Sequence, residues 1–296
     1  IIRQAHVAVN LMGMERELDR TKKALLASAF IAILLVLLAY PVLVWLVRSW
    51  LSNPYYSHGF LIPIISALLA WRQWRWFRAE PRQGSTWSGL LLTVTSLTIT
   101  LWALRWQNYV LASLTLIGLL CGILLFLEGW ARLKRWLFPI LFLALAVPLP
   151  FVDLASPWLE SFTAQTAAAL AGLTGIEVVQ QGGEIMLPNT TIVVGAPCSG
   201  LRSLVAMITV AVAWIYLVEG KWQAKAVMLI AVVPLVALSN VLRVAILLVV
   251  AVYLGEEAAL SYYHDWSSPI LFMMALGLML LLGKLLGCSQ IRDDIF

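Results

Sequence analysis

Runs of about 20 apolar residues, broken by short basic connections, restrict this chain to folding in a lipid bilayer. In hydrocarbon no water is present to bond the backbone, so each spanning run must satisfy its own N–H and C=O groups as a helix. With 62% hydrophobic and only 12% charged residues, the chain lacks the polar surface of a soluble domain. Spans are expected at 25–47, 58–74, 87–104, 109–128, 134–150, 198–218, 223–254 and 267–286. The expected fold class is an all-α polytopic membrane protein of about eight transmembrane helices, with a small extracytoplasmic helix plus β-hairpin insertion.

Charge orients the spans. Lys and Arg gather in alternate connections: Arg3 to Lys23; Arg72, Arg75, Arg78 and Arg82; Arg132, Lys134 and Arg135; Lys221 and Lys225; Lys284 and Arg292. The other connections hold only Arg48 and Arg105, and Arg202 and Arg243 fall within helices. The positive-inside rule then puts both termini in the cytoplasm. The net charge of +5 follows from this bias. The run Trp71-Arg72-Gln73-Trp74-Arg75-Trp76-Phe77-Arg78 reads as an interfacial aromatic belt with a basic edge rather than a base-stacking surface, so no nucleic-acid partner is expected.

Residues 1–24 form a cytoplasmic segment, of which 1–13 precede a plausible start at Met14; residues 25–296 make the transmembrane domain. The first apolar stretch lacks a small-residue cleavage pattern and reads as a retained anchor. Within the domain, residues 151–197 are the one sizeable extramembrane insertion. Leu154 to Leu173 is Ala-rich yet carries Glu160, Thr163, Gln165 and Thr166, which suits an interfacial helix or a weak span. A span there would invert every later connection and turn Lys221 and Lys225 outward, so a helix on the outer surface is the expectation. Residues 176–187 read as a β-hairpin about Gly182-Gly183, with Thr191 to Val194 as a third strand.

That topology gathers reactive side chains at one end. Cys198 follows the insertion in Gly195-Ala196-Pro197-Cys198-Ser199-Gly200-Leu201-Arg202. A membrane cysteine is ordinarily a small buried hydrophobe. Here Pro197 would set a helix start, placing Cys198 in the first turn, where free N–H groups and the dipole favour a thiolate. Arg202, four residues on, adds positive charge, and Gly200 permits close approach. Arg243 lies inside the seventh span, where a charge costs about 2.5–3.5 kcal/mol on insertion scales and so marks a functional or tightly tied residue. His264 and Asp265 precede the eighth span, and His58 precedes the second; either histidine could equally be an ordinary interfacial residue. Cys121 and Cys288 lie too far along other spans to pair with Cys198. One cysteine outside and no close histidine pair make a poor zinc set, so no metal and no cofactor is expected.

In order, Cys198-Ser199-Gly200-Leu201-Arg202, Asn240-Val241-Leu242-Arg243 and His264 resemble the motifs of the exosortase/archaeosortase family of membrane transpeptidases. Tyr56-Ser57-His58-Gly59 and Val147-Pro148-Leu149-Pro150 resemble its bacterial members, while Pro197 departs from the more usual alanine. The resemblance implies a cysteine peptidase or transpeptidase acting on exported proteins with a C-terminal sorting signal: a short motif of the Pro-Glu-Pro type, a transmembrane helix, then a basic tail. It implies Cys198 as nucleophile through a thioester, His264 as acid or base, and Arg243 as the charge that steadies oxyanion or thiolate. Arg202, Ser199, Gly200, Asn240, His58 and Asp265 would support them. The acceptor, an amine on a lipid or polysaccharide or else water, is left open. A transporter, flippase or assembly factor for lipid-linked polysaccharide is the alternative, using Arg202 and Arg243 as anion sites.

Overall fold

The structure, a computed structural model, describes residues 29–84, 86–193, 200–293 and 295; Asp153, Leu260, Tyr262, His264 and Asp265 are described by backbone alone. It divides into two compact units, Ile1–Trp45 and Leu46–Phe296. The described part of the first belongs to α1 (Ala29–Ser52), whose Phe30, Ile33, Val36, Leu37 and Tyr40 are exposed, as the side chains of a lipid-facing span are.

The second unit continues through α2 (Leu61–Arg72), α3 (Trp74–Ala79), α4 (Trp87–Arg105), α5 (Tyr109–Glu128) and α6 (Trp130–Phe142). A 3-10 turn (Leu143–Ala146) leads to α7 (Pro150–Gly172) and the strands β1 (Val179–Gln181), β2 (Glu184–Met186) and β3 (Thr191–Val193). Then come α8 (Leu201–Leu217), α9 (Trp222–Leu254), a π-turn (Ala258–Tyr263) and α10 (His264–Leu285). The hairpin forms where expected: Gly182 takes a φ of +63°, β1 and β2 pair antiparallel, and β3 adds antiparallel to β2.

The protein is a multi-pass, mostly helical membrane protein, and of the eight or so expected spans fewer have the length and hydropathy of a crossing helix among the described residues. Among the described residues five helices are long and apolar enough to cross: α1, α4, α5, α9 and Trp266–Leu285 of α10. A sixth arises if α6 with its 3-10 turn and α7 form one span, bent by 50°. The 12 residues of α2 reach only about 18 Å and the 17 of α8 about 26 Å, against a hydrocarbon core of about 30 Å. The hydrophobic run expected at 58–74 extends past the helix ends, because α2 begins at Leu61 and stops before Gln73. The insertion helix α7 is anchored by its small residues. Its Ala164, Ala167, Ala168 and Ala171 are buried in one cluster with Ile185 and Ile192 of the sheet and Val244, Leu248 and Ala251 of α9.

Small residues let other helices approach closely, as membrane interfaces require when no water drives association. A Cβ on Gly89 would meet the backbone of Phe126 in α5, and one on Gly122 would fall 2.7 Å from the Thr93 amide nitrogen in α4. Around α9, Met207 and Ala211 of α8 join Val232, Val236, Ala275 and Met279 in a second buried cluster.

The four basic connections among the described residues meet at one end of this unit. Arg135 is paired with Glu80 at 2.6 Å and Arg82 with Glu128 at 3.3 Å, joining the 73–86 and 128–135 connections. Gln73 donates to the Tyr216 hydroxyl, and the Tyr216 ring lies 3.6 Å from that of Phe138 and under the Arg292 guanidinium. The Glu219 amide donates to the Gln290 carbonyl at 2.8 Å, tying the C-terminal segment to the α8–α9 connection.

Candidate active site

Gly200 opens α8 in the left-handed region at a φ of +77°. A Cβ there would sit 2.7 Å from Cγ of Asn240 and 2.9 Å from its Cβ, so both conformation and space reserve the position for glycine. The two motifs expected to cooperate, one ending in Gly200-Leu201-Arg202 and the other beginning at Asn240, are thereby in contact. Asn240 is buried and its Nδ2 donates to Thr163 Oγ1 of α7 at 3.3 Å. Three helices converge on this one amide.

One turn further along α9, Arg243 is only 5% exposed. Its Nη1 donates to Ser268 Oγ of α10 at 3.1 Å. Ser268 comes four residues after His264, the first residue of α10. Burial pushes the neighbouring Tyr263 hydroxyl above the ordinary tyrosine range, opposed by the positive charge of Arg243 and by a hydrogen bond with Ser267. A pocket of about 280 Å³ lies between α8, α9 and α10, lined by Ser203, Ser239, Asn240, Arg243, Ser268 and Phe272 among others. A second, of about 310 Å³, lies between α7, α8 and α9; Thr163, Gly200 and Asn240 supply its polar end and Leu159, Phe162 and Val236 its apolar walls.

Depth follows from helix length. Trp222, exposed beside Lys221, begins α9 at the basic end. From 222 to 243 the helix rises about 32 Å at about 1.5 Å per residue, which is the thickness of the hydrocarbon. Arg243 thus lies about one hydrocarbon thickness along α9 from its basic end. The turns of α9 after it pack against α7 and the sheet.

The two arginines part company. Arg202 is exposed, and its charge acts on His58 in the turn before α2. His58 Nε2 lies 3.4 Å from Thr209 Oγ1, and its Nδ1 is buried without a hydrogen-bond partner among the described residues. Burial first, and Arg202 second, lower the His58 pKa below its ordinary value, so the ring is neutral at pH 7. Arg243 is the buried cation facing the pocket.

Cys198 and Ser199 lie outside the described residues, and the side chains of His264 and Asp265 are not described. The expected site residues that the structure brings together are thus Gly200, Asn240 and Arg243, with the backbone of His264 one turn from Arg243's partner. The sequence reading missed Thr163, Ser203, Ser239, Tyr263 and Ser268. Their signal was faint: isolated hydroxyls in apolar helices usually bond their own backbone, as Thr93, Thr98 and Thr100 do here.

The family model for transmembrane exosortase (Exosortase_EpsH) matches residues 50–281. No curated protein and no solved structure was found to match the chain. The match spans from Trp50 through all three motifs and most of α10, and on that basis the chain belongs to the transmembrane exosortase family.

Proposed function

We propose that this protein is a membrane cysteine transpeptidase that cleaves the C-terminal sorting signal of exported proteins at the outer face of the cytoplasmic membrane. The observation that carries this reading is the seating of Gly200, two residues after Cys198, against Asn240, one turn from the buried Arg243. Family membership supports membrane-embedded action on secreted proteins; the finer substrate and mechanism are this reading's own.

The basic end of the bundle is cytoplasmic, as are both termini, and the Arg243 pocket opens on the outer side. A substrate with a short recognition motif, a transmembrane helix and a basic tail fits that polarity. Its helix enters from the lipid, its tail stays with the anionic cytoplasmic face, and its scissile bond emerges near the pocket. His264 takes the Cys198 thiol proton, the thiolate attacks the scissile carbonyl carbon, and as the C–N bond breaks the imidazolium gives that proton to the leaving amine. Arg243 steadies the developing oxyanion; Arg202, Ser199, Asp265 and His58 tune the surroundings. The thioester is then resolved by an acceptor amine on a lipid or polysaccharide, or by water.

The test is mass spectrometry of a sorting-signal protein co-expressed with wild type or with Cys198→Ala. Loss of the C-terminal helix in the first and its retention in the second is the expected result. Processing that persists with Cys198→Ala overturns the nucleophile and moves a polysaccharide transporter or assembly role ahead.

A further inference from the structure

The helix running from α6 into α7 is interrupted at Val147-Pro148-Leu149, where the path bends by 50°. An interruption in an apolar helical path strands backbone groups that an apolar surrounding cannot satisfy, and Pro148 and Pro150 have no N–H to offer. Two of the stranded groups are taken by side chains from one short segment. Trp50 Nε1 donates to the Ala146 carbonyl at 2.7 Å, and the Tyr56 hydroxyl accepts the Leu149 N–H at 3.0 Å. Beyond the break, the Tyr55 hydroxyl shares a 2.7 Å hydrogen bond with Ser156 Oγ, which donates to Glu160 Oε1 at 2.6 Å. All three rings are buried. Gly59 makes the seat, because a Cβ there would fall inside the Trp50 indole.

The break is therefore gripped before, at and after the bend, which fixes the direction in which α7 leaves. Ser156, Glu160 and Thr163 follow at i, i+4 and i+7, one face of that helix. Thr163 accepts the Asn240 amide hydrogen bond, and Asn240 fills the space against Gly200. Resting on the transpeptidase reading above, we propose that Trp50, Tyr55 and Tyr56 are positioning residues, which set the angle of α7 so that Thr163 holds Asn240 in register with Gly200. Their hydrogen bonds reach the α6–α7 path, while the Pro54–Tyr56 turn also packs against α8; removing a hydroxyl addresses the α7 route and leaves that packing in place. The connection is a continuous set of packed and hydrogen-bonded groups, and energetic coupling along it is what must be measured.

The experiment uses the full chain in lipid nanodiscs, with Tyr56→Phe, Thr163→Val and the double variant. Hydroxyl removal leaves the ring and its burial in place. Tyr56→Phe is expected to lower kcat for sorting-signal processing by about tenfold while KM stays within about twofold, and the double variant to be within about twofold of Thr163→Val alone. Hydrogen exchange is expected to rise together in residues 147–156 and 236–243. Multiplying rate losses, an unchanged Tyr56→Phe, or faster exchange confined to 147–156 would each overturn the proposal. If Tyr56→Phe does not accumulate, Tyr55→Phe and Ser156→Ala make the same comparison. If Cys198→Ala still processes substrate, the transpeptidase reading falls, yet the exchange arm still decides whether the grip reaches Asn240.

Discussion

The two ends of the Leu46–Phe296 unit handle charge in opposite ways. At the basic end, arginines and a lysine meet carboxylates or lie over aromatic rings, in groups that remain partly in water: Arg135 with Glu80, Arg132 with Glu128, Arg78 over Trp74, Lys134 over Trp130. At the other end Arg243 is buried and donates to a serine hydroxyl. Solvated pairs are worth little and are interchangeable, with a median near 0–1 kcal/mol. A buried guanidinium bears a desolvation cost that only a specific use justifies.

That contrast is broken most sharply by exchanging arginine for lysine at each end. A lysine keeps the charge but loses the planar fork and the reach of two nitrogens. Arg243→Lys is expected to cut sorting-signal processing by at least about 100-fold, the scale of losing one oxyanion donor. Arg135→Lys is expected to leave the rate within about twofold, because a point charge still satisfies Glu80. Both are read by mass spectrometry of the processed product in the same membranes. Equal losses at the two ends would mean that Arg243 is another structural cation.

The next effect belongs to Gly200. Alanine there must adopt a φ of +77° and place its Cβ 2.7 Å from Asn240 Cγ. Strain of this kind costs about 1–3 kcal/mol and shifts the residues on either side. Gly200→Ala is expected to slow processing by about tenfold or more and to lower the melting temperature in detergent. Adding Asn240→Gly relieves the contact but not the dihedral, so it should restore part of the stability and none of the rate. Recovery of both would show that Asn240 is only filler.

How far the sequence could be read follows the same division. The alternation of basic and base-poor connections was visible along the chain, and Glu80, Glu128, Tyr216 and Gln290 join those basic connections into one end. The hairpin was legible because Gly182-Gly183 has one cheap solution. Span number was less so: five expected spans have candidate crossing helices among the described residues, but hydropathy sees composition and is blind to where a helix stops. Leu61–Trp71 is apolar but for Ser66, yet the folded turn before it and Gln73 after Arg72 leave only 12 residues of helix. The grip of Trp50, Tyr55 and Tyr56 on the α6–α7 break was equally hidden, since it pairs residues about a hundred positions apart and nothing local records it. The same holds for Thr163, which is one hydroxyl among several in an Ala-rich helix until Asn240 is seen beside it. Arg243 was picked out because a charge is expensive inside an apolar helix, Gly200 because it permits close approach, and Asn240 only because the resemblance marked it; the left-handed φ of Gly200 and its contact with Asn240 belong to the fold.

The smallest effect concerns His58, which sits between the two regimes: partly buried, next to an exposed cation, and tied to Thr209. Its pKa is lowered, so the folded state resists protonation that the unfolded chain, with the ordinary value of 6.5, accepts. Below that pH the unfolded state binds more protons, and stability rises with pH across the window that ends at 6.5. Thermal melts of the wild type between pH 5 and pH 8 should therefore show a loss on the acid side that His58→Gln, which cannot protonate, flattens. Arg202→Gln should shrink the same acid loss without abolishing it, because burial is the larger cause and remains. An acid loss that Arg202→Gln removes entirely would reverse the order of the two causes, making the turn before α2 an electrostatic sensor of α8 rather than a buried ring.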